Sequence, residues 1–530
     1  METRTPPGRS VVYAKNGMAA TSQPYATLSA LDILREGGNA FDAAVAAAAV
    51  LNVVEPHSTG LGGDVFALFW WAETGELKGL NGSGRAPGAA SIEALRRLGH
   101  RTMPVENIHS ITTPGTLDGW TTLLEGYGRM NLARVLAPAI RLAEEGFAVS
   151  PVISGDWRAG RENLARDADA ARCFLTSGRA PAAGEIFRNP ALARTFRTVA
   201  EGGKDVFYRG ELGERVVKAL REKGGLLAME DLRAHRSDWV EPIGTVFRGC
   251  EVYEIPPSGQ GLTALLALNI LEKDDLSGLG SGSADIYHLI LETLKLAFAD
   301  RDRYIADPEF EDVPTGRLLS KEYAAERRAL IDMNRALPAA SPGRVPSGDT
   351  VYLATADAEG NMVSLINSIY SGFGSGICAG DTGVMMQNRG AGFVLDEHHP
   401  RRLAPGKRPF HTIIPGFLMK DGGPLMAFGV VGADMQPQGH IQLLLNHLEF
   451  GMNIQEAIEA PRVRFIAGNE VWVEDRIPPG VAEDLARRGH NVHRVGPLGF
   501  GGAQVIARDP ETGVYSGASE SRKDGCALGY

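Results

Sequence analysis

The sequence is short of several features that would mark a protein class at once, and each shortage excludes something. Its 530 residues hold four cysteines, Cys173, Cys250, Cys378 and Cys526, with no CxxC pair, so neither a disulfide framework nor a cysteine-based metal site is expected. The most apolar stretch, residues 43–54 (AAVAAAAVLNVV), is 12 residues long. That is below the roughly 20 needed to cross a bilayer, and a buried helix is the better reading. The first residues, METRTPPGRSVVYAKNGMAA, lack an apolar core of signal-peptide length. The expectation is a cytoplasmic protein with no membrane partner.

Positive charge is also in deficit: 54 Lys and Arg stand against 64 Asp and Glu, a net charge of −10, which argues against nucleic acid as a partner. No strand–GxGxxG–helix unit or GxxxxGK[ST] loop occurs. The cluster Gly60-Leu61-Gly62-Gly63 has neither spacing and precedes a strand, so a dinucleotide oxidoreductase is not supported. There is no repeat of 20–50 residues. His398 and His399 are adjacent, would point apart on a strand, and belong to no HExxH pattern. No metal and no cofactor are expected.

What is present is a globular enzyme's composition, 44% hydrophobic and 22% charged, with 65 glycines and 30 prolines for turns. Strand patterns lie near the front of the chain (around Val11 and Val65) and again towards its end, with mainly helical sequence over residues 92–248 between them. That distribution suits stacked sheets between helical layers. Helices are predicted over residues 26–36, from an Asn39 cap onward with Asp42 in the first turn, and over 131–145, 262–271, 284–304 and 438–450. Strands are predicted around residues 244–255, 413–419 and 425–431.

Residues 347–393 carry the chemistry. Residues 350–355 (TVYLAT) read as a strand, 357–361 (DAEGN) as a turn with Gly360 free to take positive φ, and 362–366 as the returning strand. A glycine-dense loop follows at 372–383. Residues 337–348, rich in Pro, Ala, Ser and Gly, precede the hairpin and read as exposed and flexible. Cleavage of the Asp349–Thr350 bond would leave Thr350 as a chain start with both a hydroxyl and an α-amine. An α-amine has a pKa of about 7.7–8.0, so one residue would supply nucleophile and base.

With these pieces in order, the chain resembles the γ-glutamyltransferase family of N-terminal-nucleophile hydrolases. GGNAFDAAVA (37–46), EPHSTGLGGD (55–64), PPSGQG (256–261), AFADRDRYIADPEF (297–310), GDT (348–350) and EAIEAPRVRF (456–465) recur in the family's order. The resemblance implies an α+β fold, a four-layer αββα sandwich made as a precursor and autoprocessed before the catalytic threonine. The products would be a large subunit, 1–349, and a small catalytic subunit, 350–530. They would interleave as a heterodimer, with a dimer of heterodimers left open. Thr350 matches the nucleophile, Ser368 a second hydroxyl that bonds it, and Gly432 and Ala433 the pair of amides that form the oxyanion hole.

The substrate-binding residues depart from the family pattern. Glutathione-acting members hold the glutamyl carboxylate with an Arg in an RExAP motif and two adjacent serines. Here Ser83 stands in that register, Arg85 lies two places on, and His411 and Thr412 replace the serines. The amine is normally held by Asn, Gln and Asp, where this chain has Tyr370, Arg389 and Gly392. A pocket with Arg and no acid would repel an ammonium, whereas Arg389, with Arg85 and His411, would suit an anionic acyl group. The leading expectation is a threonine amidohydrolase acting on a small acidic amide, like the oxamate amidohydrolase and cephalosporin-acylase branches. The alternative is a true γ-glutamyltransferase or glutathione hydrolase with non-standard glutamate recognition. A catalytically idle binding relative is disfavoured by the retained Thr350 and Ser368.

Overall fold

The computed structural model describes residues 8–338 and 350–530. Two seven-stranded sheets form its centre. One runs in spatial order Val12–Ala14, Tyr515–Ser519, Gly502–Arg508, Gly423–Val431, Gly416–Lys420, Cys250–Glu254 and Ile243–Phe247. The other runs Cys526–Gly529, Met18–Thr21, Val351–Ala356, Met362–Ser368, Asp64–Trp71, Glu76–Gly82 and Asp238–Val240. Each sheet therefore contains strands from both sides of the 349/350 junction.

The layering follows from the period-2 alternation of the strands. Val351 and Leu353 face outward, into a core shared with the all-buried helix Ala40–Val54 and the helices Thr116–Tyr127 and Leu132–Glu145. Tyr352, Ala354 and Ala356 face the other way and meet Phe417, Ala427 and Val431 between the sheets. On the outer face of the first sheet, Val252, Leu418, Phe428 and Val430 pack on the helices Gly261–Leu271, Ala284–Tyr304 and Met435–Leu444. The result is helix, sheet, sheet, helix, the four-layer α+β sandwich expected from the sequence.

Local signals explain several boundaries. Asn39 caps the buried helix in a capping box: its side chain accepts from the Phe41 and Asp42 amides, and Asp42 Oδ2 accepts from the Asn39 amide at 2.9 Å. The helix expected over 438–450 instead begins at Met435, directly after the turn made by Gly432 and Ala433, both at positive φ. Its last turn widens to a π-turn over Leu445–Glu449.

The two sheets close most tightly where the site lies. A Cβ on Gly429 would sit 2.3 Å from the Tyr352 ring, so only glycine allows that ring to lie flat on the opposite strand. Ser364 Oγ donates to the Phe428 carbonyl at 3.3 Å. With Tyr352 opposite Ile366 and Ala354 opposite Ser364 in the antiparallel hairpin, these contacts turn the Thr350 and Ser368 end of the hairpin towards the Gly432 end of the strand Gly423–Val431.

Candidate active site

Thr350 is buried, at 2% exposure, immediately before the strand Val351–Ala356. Its Oγ1 lies 3.2 Å from Ser368 Oγ, the last residue of the partner strand. Ser368 Oγ in turn accepts from the Tyr370 amide at 2.9 Å. Tyr370 sits at φ +81°, a costly conformation for a bulky residue, and this turn aims its amide back at Ser368. Asp349 and the flexible stretch predicted before it lie outside the described residues.

Gly432 and Ala433, at φ +115° and +51°, form a tight turn between the strand Gly423–Val431 and the helix Met435–Leu444. Their carbonyls accept from the Met435 and Gln436 amides, at 2.9 and 3.0 Å. Among the described residues neither of their own amides has an acceptor. Ala433 tolerates the left-handed conformation, so replacing glycine there keeps both N–H groups available. Two free amides in a partly buried turn are an arrangement able to stabilise an oxyanion.

Two residues without an assigned role in the sequence hold this turn. Gln260 Nε2 donates to the carbonyls of Thr412, at 2.7 Å, and Ala433, at 3.0 Å. Arg301 Nη1 donates to Gln260 Oε1 at 3.2 Å and to Asp434 Oδ1 at 2.7 Å. Both belong to motifs quoted above, PPSGQG and AFADRDRY, but the loop and turn residues they hold, Thr412, Ala433 and Asp434, lie more than 130 residues away. Nothing local in the sequence signals such contacts.

The substrate-side residues divide. Arg389 is fully buried; its Nη1 donates to Thr412 Oγ1 at 2.9 Å and its guanidinium lies 4.5 Å above the Tyr370 ring. Arg389, Tyr370 and Thr412 are therefore one cluster. Its Nε is 3.6 Å from Asp64 Oδ2, and among the described residues Nε and Nη2 have no hydrogen-bond acceptor. Asp64 also accepts from the Gly84 amide and from Gln387 Nε2. Its backbone pairs directly with Ser368. Burial raises the Asp64 carboxyl to about 6, against the opposing pull of Arg389. Burial also lowers the Arg389 guanidinium below its ordinary value.

Three expectations change here. The pocket does contain an acid: Asp64, from the motif at 55–64, offsets the Arg389 charge, so the pocket is not simply cationic. Arg85 is engaged elsewhere, by Asp238 at 3.4 Å and Glu309 at 2.9 Å, acids it shares with Arg408. His411 is buried against Phe66, with ring centroids 5.1 Å apart, and among the described residues neither ring nitrogen has a hydrogen-bond partner. Burial, reinforced by Arg389 and Arg408, holds its pKa well below the ordinary value, so it is a neutral imidazole and adds no charge for an anion.

Beside this cluster, Gly392 and Phe410 line a cleft of about 570 Å³ whose other walls include Arg101, Met103, Asp302 and Arg401.

Two stacked sheets between helical layers are the fold of an N-terminal-nucleophile hydrolase. The chain belongs to the gamma-glutamyltranspeptidase family, whose model matches residues 26–530, and so to a family of amide hydrolases and acyltransferases. It is 41% identical to the glutathione hydrolase-like YwrD proenzyme of Bacillus subtilis (strain 168), over 98% of this chain and 99% of that one. It is 37% identical to the oxamate amidohydrolase proenzyme of Klebsiella pneumoniae, over 97% and 98% of the two chains. Among solved structures it is similar to the cephalosporin acylase from Bacillus halodurans, with a TM-score of 0.94 and 46% identity over 100% of this chain and 98% of that one.

Proposed function

We propose that this protein is an autoprocessed threonine amidohydrolase, cut between Asp349 and Thr350. Thr350 Oγ attacks the amide carbonyl and the Gly432 and Ala433 amides hold the resulting oxyanion. The freed Thr350 amine takes the hydroxyl proton and passes it to the leaving amine. Water then attacks the acyl-enzyme and releases the acid. The observation that carries this reading is the 3.2 Å contact between Thr350 and Ser368 at the end of the sheet where two acceptor-free amides turn. An oxyanion donor of this kind contributes about 3–4 kcal/mol to the transition state. The proenzyme names of the relatives support processing into a large and a small subunit.

The acyl group we assign is small and acidic. Arg389 offers two guanidinium nitrogens without acceptors, matching a carboxylate or a carbonyl pair. The test is turnover of matched γ-glutamyl, glutaryl and oxamate amides by protein whose small-subunit N-terminus has been sequenced. The reading expects a small subunit beginning at Thr350 and a preference for the amides without an ammonium. A preference for the γ-glutamyl compound would refute the acyl assignment and favour the glutathione-hydrolase alternative. Asp64 gives that alternative its one structural support, as a buried acid able to face an ammonium.

A further inference from the structure

Away from Thr350, two histidines and a glutamate from opposite sides of the 349/350 junction converge in the outer helical layer. His288 and Glu292 stand about one turn apart on the helix Ala284–Tyr304, and His490 follows the helix Pro479–Arg487. All three are buried, at 0, 0 and 4% exposure. His288 Nδ1 lies 2.8 Å from His490 Nε2, and that nitrogen lies 3.7 Å from Glu292 Oε1. The three atoms all fall within 4.8 Å of one another. The outer atoms of the set are tied down. His288 Nε2 donates to the Asp332 carbonyl at 2.9 Å, which fixes its proton there and leaves a lone pair on Nδ1. Glu292 Oε2 accepts from the Leu337 amide at 2.7 Å, which leaves Oε1 on the side of His490. The cation beside Oε1 is Lys295 Nζ, at 2.7 Å but without hydrogen-bond geometry. Nζ also donates to Asn469 Oδ1 at 2.9 Å. His490 Nδ1 has no hydrogen-bond partner among the described residues. His490 stands 202 residues from His288, so no spacing in the sequence announces the set.

We propose that His288 Nδ1, His490 Nε2 and Glu292 Oε1 are the three protein ligands of a Zn²⁺ site. Tetrahedral bonds of about 2.0–2.1 Å put ligand atoms about 3.3–3.4 Å apart, and the observed 2.8 and 3.7 Å bracket that spacing. Zn²⁺ accepts imidazole nitrogen and carboxylate oxygen together, whereas Ca²⁺ and Mg²⁺ favour oxygen alone. Binding relocates one proton and one cation. His490 holds its proton on Nε2 while it donates to His288; with the metal bound the proton sits on Nδ1, where no other group competes. Lys295 gives up Glu292 and keeps Asn469. Water completes the coordination. Arg301, which braces the oxyanion turn, lies about 13 Å beyond Glu292 on the same helix, so the ion acts on the fold and not on the amide. That it would join two separate chains rests on the cut proposed above; its binding does not.

The experiment takes untagged full-length protein, strips it with EDTA, removes the chelator and titrates Zn²⁺ by calorimetry while following the unfolding temperature. About one Zn²⁺ per chain should bind, and the unfolding temperature should rise with its concentration. Glu292→Gln and His490→Ala should each weaken binding at least about tenfold. Lys295→Met should tighten it about tenfold, because it removes the cation that competes for Glu292. Misfolding cannot produce that gain. Replacing His398 and His399 by alanine should leave binding unchanged. No saturable binding overturns the proposal, as does binding that survives both Glu292→Gln and His490→Ala, or binding to Lys295→Met no tighter than to wild type. A denaturing gel separates this reading from the cut. Zinc binding by a chain that stays whole keeps the site and sinks the cut, whereas two bands without zinc binding keep the cut and sink the site.

Discussion

Gln260 ties Thr412 to Ala433: one side-chain amide bonds both carbonyls, at 2.7 and 3.0 Å. It thereby couples the loop beneath Arg389 to the oxyanion turn. Gln260→Ala should lower kcat by about 10–100-fold, through a turn that no longer holds its two amides in place. KM should change little. Gln260→Glu should be no better, because a carboxylate facing two carbonyls supplies no donor. Steady-state kinetics on the preferred amide checks both, and equal kcat in wild type and Gln260→Ala would remove the bracing role.

Thr350→Ala should leave the precursor whole and the activity lost, by at least about 10³-fold. Thr350→Ser should process and turn over slowly, since it keeps the hydroxyl and the amine. Ser368→Ala should cost about fivefold in kcat, the size of one hydrogen bond worth roughly 1 kcal/mol. Intact mass and initial rates read these outcomes together.

The Asp64 carboxyl should make substrate choice depend on pH. Its pKa is raised to about 6, so below that value it becomes neutral and the Arg389 charge stands unopposed. KM for a glutaryl amide, whose own carboxylate stays ionised above about pH 4.5, should fall between pH 7 and pH 5. KM for a γ-glutamyl amide, carrying an ammonium, should rise over the same range. Parallel KM profiles for the two compounds would remove Asp64 from recognition.

Stability carries the same signature with a definite sign. A carboxyl whose folded-state pKa lies above its unfolded value binds its proton more tightly when folded. Its contribution is therefore fully present below about pH 3.8 and lost as pH rises through about 6. Asp64→Asn should flatten that segment of the stability-against-pH curve in denaturant unfolding. Arg389→Met, which strands Asp64 as a buried charge, should destabilise by about 3–5 kcal/mol near neutral pH. Adding Asp64→Asn should restore much of the loss.

The sequence made one kind of information legible and hid another. The β-branched and aromatic content of residues 350–355 marked a strand, and the Asn39–Asp42 spacing marked a helix start. Both rest on interactions within a few residues. Thr350 and Ser368 were legible because a short hairpin joins them. Asp64, Gln260 and Arg301 stood in recognised motifs without a role, since their partners at 389, 412 and 434 are brought near only by sheet stacking. The same limit hid the Asp238 and Glu309 partners of Arg85 and the burial of His411 against Phe66. Residue type suggested an anion site, while Asp238, Glu309 and complete burial decide what each does.

The distribution of strands between the two sheets bears on how the molecule refolds. Val351–Ala356 pairs with Met18–Thr21, and Gly416–Lys420 pairs with Cys250–Glu254, so each sheet needs sequence from both sides of the junction. Before the proposed cut, refolding is an event within one chain and independent of concentration. After it, the same ladders must be rebuilt by two chains meeting in solution, and recovery from denaturant becomes second-order. Processing would then change no contact in the sheets, yet it would turn a reversible folding equilibrium into persistence governed by the rate of unfolding.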